Sequence, residues 1–123
     1  MNNLLEETKK MMSWHAQKPE DIVHIGTTWP VADSPFSHYA CTWEEFMVLA
    51  DNEYDDDYGA PYVAQDLVIL FSNGDWASRA EYDGSEWWQY HSRPVVPLGP
   101  AAPITALMGK KFSTIEDYHE EEE

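Results

Sequence analysis

Residues 63–91, VAQDLVILFSNGDWASRAEYDGSEWWQYH, decide the fold. Three short runs rich in β-branched and aromatic residues are separated by Asn73-Gly74 and Asp83-Gly84. These dipeptides favour two-residue hairpin turns, because a type I′ turn needs positive φ at both central positions. The spacing predicts three antiparallel strands in a meander, over residues 64–71, 75–82 and 85–91. Counting outward from two-residue turns sets Leu70 opposite Ala77 and Ser72 opposite Asp75 in the first hairpin. In the second, Arg79 falls opposite Trp88 and Tyr82 opposite Ser85. One face then carries Leu67, Ile69, Phe71, Trp76, Ala80, Tyr82 and Trp87, the expected core face. The other carries Asp66, Glu81 and Glu86 in one row, with Val68, Arg79 and Trp88 in the next.

Outside the meander, Leu4, Leu5, Thr8, Met11, Met12 and His15 recur at helical spacing, which predicts an amphipathic helix over residues 3–17, ended by Pro19. A strand is expected over 22–29. Thr42 with Glu45 three residues later forms a capping-box pattern ahead of Phe46, Met47 and Leu49, predicting a second helix over 43–52. The acidic run Asp51 to Gly59 reads as a loop. Residues 94–103, with four prolines, read as an extended connector, and 104–112 as a short strand or turn. The fold class expected is α+β: an antiparallel meander of three to five strands with two helices packed on one face. Residues 1–112 make a single domain, and 113–123 an acidic, disordered tail.

Charge bounds the function. The chain has 123 residues and carries 23 carboxylates against seven Lys plus Arg, a formal charge of −16, together with six Trp, seven Tyr and four Phe. So much aromatic surface argues for a folded core beneath a negative skin. That skin repels nucleic acid and anionic membrane within a Debye length, about 8–10 Å at physiological salt, and favours a basic partner. Cys41 is the only cysteine, so no internal disulfide or cysteine zinc cluster forms, and a small hydrophobic role is expected for it. No stretch has the length of a signal peptide core or a membrane span, so a cytoplasmic location is expected.

Catalytic and cofactor motifs are absent. The loop at Asp51 fails as an EF-hand, since its sixth and twelfth positions are Asp56 and Tyr62 rather than Gly and Glu. The five histidines show no ligand spacing, and there is no phosphate loop or nucleophile elbow, so neither cofactor, metal nor catalytic residue is expected. The carboxylate row of Asp66, Glu81 and Glu86 calls for an offset, because like charges opposite one another destabilise a ladder. Arg79 supplies it by forking to Glu81 or Glu86 with its guanidinium on Trp88, and Asp66 and Arg79 belong to that structural cluster. A divalent cation on the row is the alternative.

The segment from Leu49 to Trp88 resembles a group of small uncharacterised proteins of actinobacterial phages. YDDDYG, VAQDLVI and W-x-x-R-x-EYDG-x-EWW carry the resemblance, the last being Trp76, Arg79, Glu81-Tyr82-Asp83-Gly84 and Glu86-Trp87-Trp88. It implies a phage setting and no activity. In acidity and size the chain is also similar to phage DNA-mimic inhibitors of restriction and CRISPR enzymes. Together these lead to an expected role as a non-enzymatic inhibitor in the host cytoplasm, occupying the basic nucleic-acid groove of a host defence protein. Asp55, Asp56, Asp57, Glu81, Asp83 and Glu86 would be the phosphate surrogates, and Trp88 and Tyr58 the exposed aromatic anchors. An adaptor that binds a protein through Trp87, Trp88 and Tyr90 is the second expectation.

Overall fold

The computed structural model describes residues 2–28, 32–55 and 60–121. Its elements in chain order are β1 (Asn2–Asn3), α1 (Leu4–Trp14), a 3₁₀ turn (Pro19–Asp21), β2 (Ile22–Gly26), α2 (Trp43–Leu49), β3 (Glu53–Tyr54), β4 (Val68–Phe71), β5 (Trp76–Tyr82), β6 (Ser85–His91) and α3 (Ile115–Glu121). A four-stranded antiparallel sheet runs β2-β4-β5-β6, and β1 pairs with β3 in a second, two-stranded ribbon. The fold is α+β.

Both main helices start where their caps dictate. Asn3 accepts the Glu6 amide at 3.0 Å to open α1, and Thr42 and Glu45 exchange both capping-box bonds at the head of α2. From α1 come the buried Leu5, Met11 and Met12, and from α2 the buried Phe46, followed by Ala50 just past its end. They close over Ile25, Ile69, Phe71 and Ala77 of the sheet to form the core.

The second hairpin has the expected register, with Arg79 opposite Trp88 and Tyr82 opposite Ser85. In the first the register differs by one: Leu70 pairs with Trp76 and Ile69 with Ala77. The Phe71 amide donates to the Asp75 carbonyl at 2.9 Å, which leaves the three-residue loop Ser72-Asn73-Gly74. Gly74 takes the left-handed conformation, φ 93°, that ends such a loop, and the Asn73 side chain accepts the Asp75 amide at 3.0 Å. A slip of one residue moves every side chain of the following strands to the other face. Consequently Ala77, Arg79, Glu86, Trp88 and Tyr90 point toward the helices, while Trp76, Ala80, Tyr82 and Trp87 lie on the open face, the reverse of the expected arrangement.

Other expectations are corrected at the edges. Part of the Asp51–Gly59 loop is β3, the 104–112 stretch has no regular structure, and the acidic tail holds a helix. α3 forms because Thr114 caps the Asp117 amide at 3.2 Å and Tyr118 folds back, buried, to accept the amides of Lys111 and Phe112, each at 3.2 Å. Among the described residues no helix is long and apolar enough to cross a membrane.

Candidate functional site

At one end of the sheet β3, β5 and β6 meet around a buried cation. Arg79 of β5 and Glu86 of β6 share the covered face and form an ion pair at 3.4 Å, with both side chains essentially removed from solvent. Arg79 lies 5.1 Å from the Trp88 ring centroid, so the expected Arg–Glu–Trp cluster is present. Its guanidinium also donates to the Tyr54 hydroxyl at 3.2 Å. Arg79 Nε and Nη1 are buried without hydrogen-bond partners. Orphaned donors cost about 1–3 kcal/mol each, and a desolvated cation–π contact returns about 2, so Glu86 and Tyr54 are needed to hold the charge inside.

Glu86 does more than neutralise. Its Oε2 accepts the Tyr62 amide at 2.6 Å and its Oε1 the Val63 amide at 3.1 Å, so one carboxylate clamps the far end of the acidic connection to the sheet. Tyr54 fastens the near end. Its hydroxyl donates to Glu7 Oε2 at 2.5 Å while receiving Arg79, and burial, followed by the Glu7 bond, pushes its pKa up to about 12. On either side of this buried ring, Glu53 and Asp55 point outward and are exposed.

The predicted site residues therefore divide. Asp55, Glu81 and Asp83 are exposed, Asp55 beside the Tyr54 pin and the other two at the β5–β6 turn, where Asp83 takes φ 50°. Asp56, Asp57 and Tyr58 lie outside the described residues. Glu86 is no phosphate surrogate: it is 3% exposed and its oxygens are spent on Arg79 and two backbone amides. Nor is Trp88 an exposed anchor, since it is half-buried and its indole N–H donates to Thr8 Oγ1 at 2.8 Å under α1. Tyr90 likewise faces inward, bonded to Gln17 and Asp75, which leaves Trp87 alone of the proposed adaptor residues on the open face. Asp66 is exposed and Glu86 buried, so the row of three carboxylates is broken as a continuous stripe. Among the described residues no three His, Cys, Asp or Glu side chains are grouped to hold a metal ion.

Sequence reasoning missed Tyr54 and the Glu86 clamp. A tyrosine between acids in a nominal loop was the signal for the first, because an aromatic ring at an alternating position seeks cover.

Beside Tyr54 and Tyr62 opens a cavity of about 430 Å³ whose walls include Leu4, Cys41, Phe46 and Leu67. Burial first, and the Glu45 carboxylate second, push the Cys41 thiol up, away from the reactive thiolate. Among the described residues the cavity lining includes Glu53, Tyr54 and Tyr62 but neither His, Ser nor Asp.

Neither a family model, nor a curated protein, nor a solved structure matches this chain.

Proposed function

We propose that the protein is a non-enzymatic acidic binding module that docks on the basic groove of a nucleic-acid-binding protein. A phage inhibitor acting on a host defence enzyme is the setting that fits best. One observation carries this reading: the ion pair of Arg79 and Glu86 withdraws one charge of each sign, so the net charge of −16 is borne entirely by the groups outside it. Exposed Asp55, Glu81 and Asp83 are the phosphate surrogates, at the end of the sheet where Tyr54 and Glu86 fasten the backbone. Fixed carboxylates on a rigid edge offer a basic groove the same steering and charge pairing as a polyphosphate.

The test uses a host protein captured on the immobilised chain. Its affinity should fall as salt is raised about fivefold, duplex DNA should compete, and reversing Asp55, Glu81 and Asp83 to Lys should weaken binding by at least about tenfold. Binding insensitive to salt, or unchanged in the triple variant, overturns the proposal.

A further inference from the structure

The cavity beside Tyr54 and Tyr62, about 430 Å³, has the size of a small-molecule site, which commonly runs to about 300–1,000 Å³. Leu4 of α1, Phe46 and Leu49 of α2, Ala50 just past its end and Leu67 ahead of β4 give it apolar walls. The Tyr54 and Tyr62 rings add aromatic surface, their centroids 6.2 Å apart and their planes inclined at 42°. Walls of this kind favour a hydrocarbon body taken out of water.

The polar groups around the cavity accept rather than donate. Glu86 takes the Tyr62 and Val63 amides at 2.6 and 3.1 Å, and the Tyr54 hydroxyl is committed to Glu7. Asn52 Nδ2 donates to the Leu49 carbonyl at 3.1 Å and the Asn52 amide to the Ala50 carbonyl at 2.8 Å, which leaves Asn52 Oδ1 as its open group. The Cys41 amide is likewise spent on the Ile25 carbonyl at 3.0 Å. Next to Asn52, the exposed carboxylate of Glu53 has no ion-pair or hydrogen-bond partner among the described residues. The Tyr62 hydroxyl and the Cys41 thiol can turn either way, but no Lys, Arg or His stands among the described lining residues.

We propose that this cavity binds a small organic amine with an apolar body, the ammonium group at Glu53 and Asn52 Oδ1 and the hydrocarbon between Leu4, Phe46 and Leu67. Charge and hydrogen bonding select that class. A carboxylate ligand would bring like charge to Glu53 and find few donors, and a neutral hydrocarbon would cover the rim without offering that carboxylate a partner. An ammonium brings three donors and a positive charge, which tyrosine ring faces also attract. The net charge of −16 raises the local concentration of such cations before they enter. Asp55, Glu81 and Asp83 do not line the cavity, so the inference stands apart from the docking on a basic groove proposed above.

The test uses the full chain and three probes: phenylbutylamine, which has both body and ammonium; phenylbutyrate, the same body with the opposite charge; and ethylamine, the head without the body. In amide correlation spectra phenylbutylamine should give saturable shifts at Leu4, Ala50, Val63 and Leu67, and bind at least about tenfold more tightly than either control. It should also slow N-ethylmaleimide labelling of Cys41, the only cysteine and a lining residue, with the same midpoint. Glu53→Gln should weaken phenylbutylamine about two- to fivefold and leave phenylbutyrate no weaker. Leu49→Ser and, independently, Ala64→Trp, both at exposed lining positions, should each weaken phenylbutylamine at least about threefold while the amide spectrum stays folded. Equal binding of the amine and the acid, shifts spread over the acidic surface instead of the cavity, an affinity unmoved by Glu53→Gln, or Cys41 labelling unchanged at saturating amine overturns the inference. No macromolecule takes part, so this result and that of the capture experiment are independent.

Discussion

Glu81 and Glu86 stand directly opposite each other in the β5–β6 ladder on the same face, yet only Glu86 is buried. Arg79 accounts for the difference, because it reaches Glu86 at 3.4 Å and the Tyr62 and Val63 amides take up the remaining acceptor capacity of that carboxylate. Arg79→Met leaves a carboxylate inside without its cation and should cost about 3–5 kcal/mol. Glu81→Gln removes a like-charge opposition and should be neutral or stabilising by up to about 1 kcal/mol. Urea unfolding curves of the two variants check both values.

Tyr54 gives the fold an alkaline limit. Its folded pKa of about 12 lies above the usual value near 10, so the unfolded chain loses this proton first. The resulting stability is fully present below pH 10 and disappears between about pH 10 and 12. In Tyr54→Phe, thermal melts followed through that window should lose this part of the decline, and the last tyrosine transition in the 295 nm titration should vanish. An unaltered titration would mean that another tyrosine carries it.

Thr8 holds the sheet to α1 with one hydroxyl. It donates to the Leu4 carbonyl at 2.7 Å and accepts the Trp88 indole at 2.8 Å. Thr8→Val keeps the shape but strands the indole N–H, which should cost about 1–3 kcal/mol. Trp88→Phe in the same background should then cost less than it does alone, and a double-mutant cycle measures that coupling.

Gly26 and Gly74 both have positive φ, but what a Cβ would strike differs. At Gly74 it comes within 2.7 Å of the flexible Arg93 Cδ, whereas at Gly26 it falls 2.1 Å from the Tyr39 backbone carbonyl. Gly74→Ala should therefore destabilise by about 1–3 kcal/mol through conformational strain. Gly26→Ala should do so by clearly more, since the Tyr39–Ala40 backbone bridged to Gly26 would have to move away. Denaturation midpoints rank the two.

Local chemistry is legible in the chain: the Thr42–Glu45 box, the Asp83-Gly84 turn and the Arg79–Trp88 pair all stand where the neighbouring residues alone predict them. What escaped were choices made by distant residues. Asn73-Gly74 fits a two- or a three-residue loop, and the selection rests on Asp75, which is held by the Tyr90 hydroxyl at 2.6 Å and the Arg93 amide. Those partners are 15 and 18 positions away, beyond any periodicity. Because side-chain direction alternates, that single choice also inverted the expected placement of Glu86 and of every tryptophan in the meander. The helix at Tyr118 was hidden for the opposite reason, since six acids in eight residues mask one aromatic ring that folds back on the chain.

The sequence Glu53-Tyr54-Asp55 alternates outward, inward, outward, with the middle ring tied to Glu7 and Arg79. Its two flanking carboxylates have thus surrendered much of their backbone freedom during folding, whereas a loose acidic peptide gives up that freedom only on contact. For any ligand the entropic penalty at this edge is correspondingly small, and mutation of Tyr54 would raise it without changing a single charge.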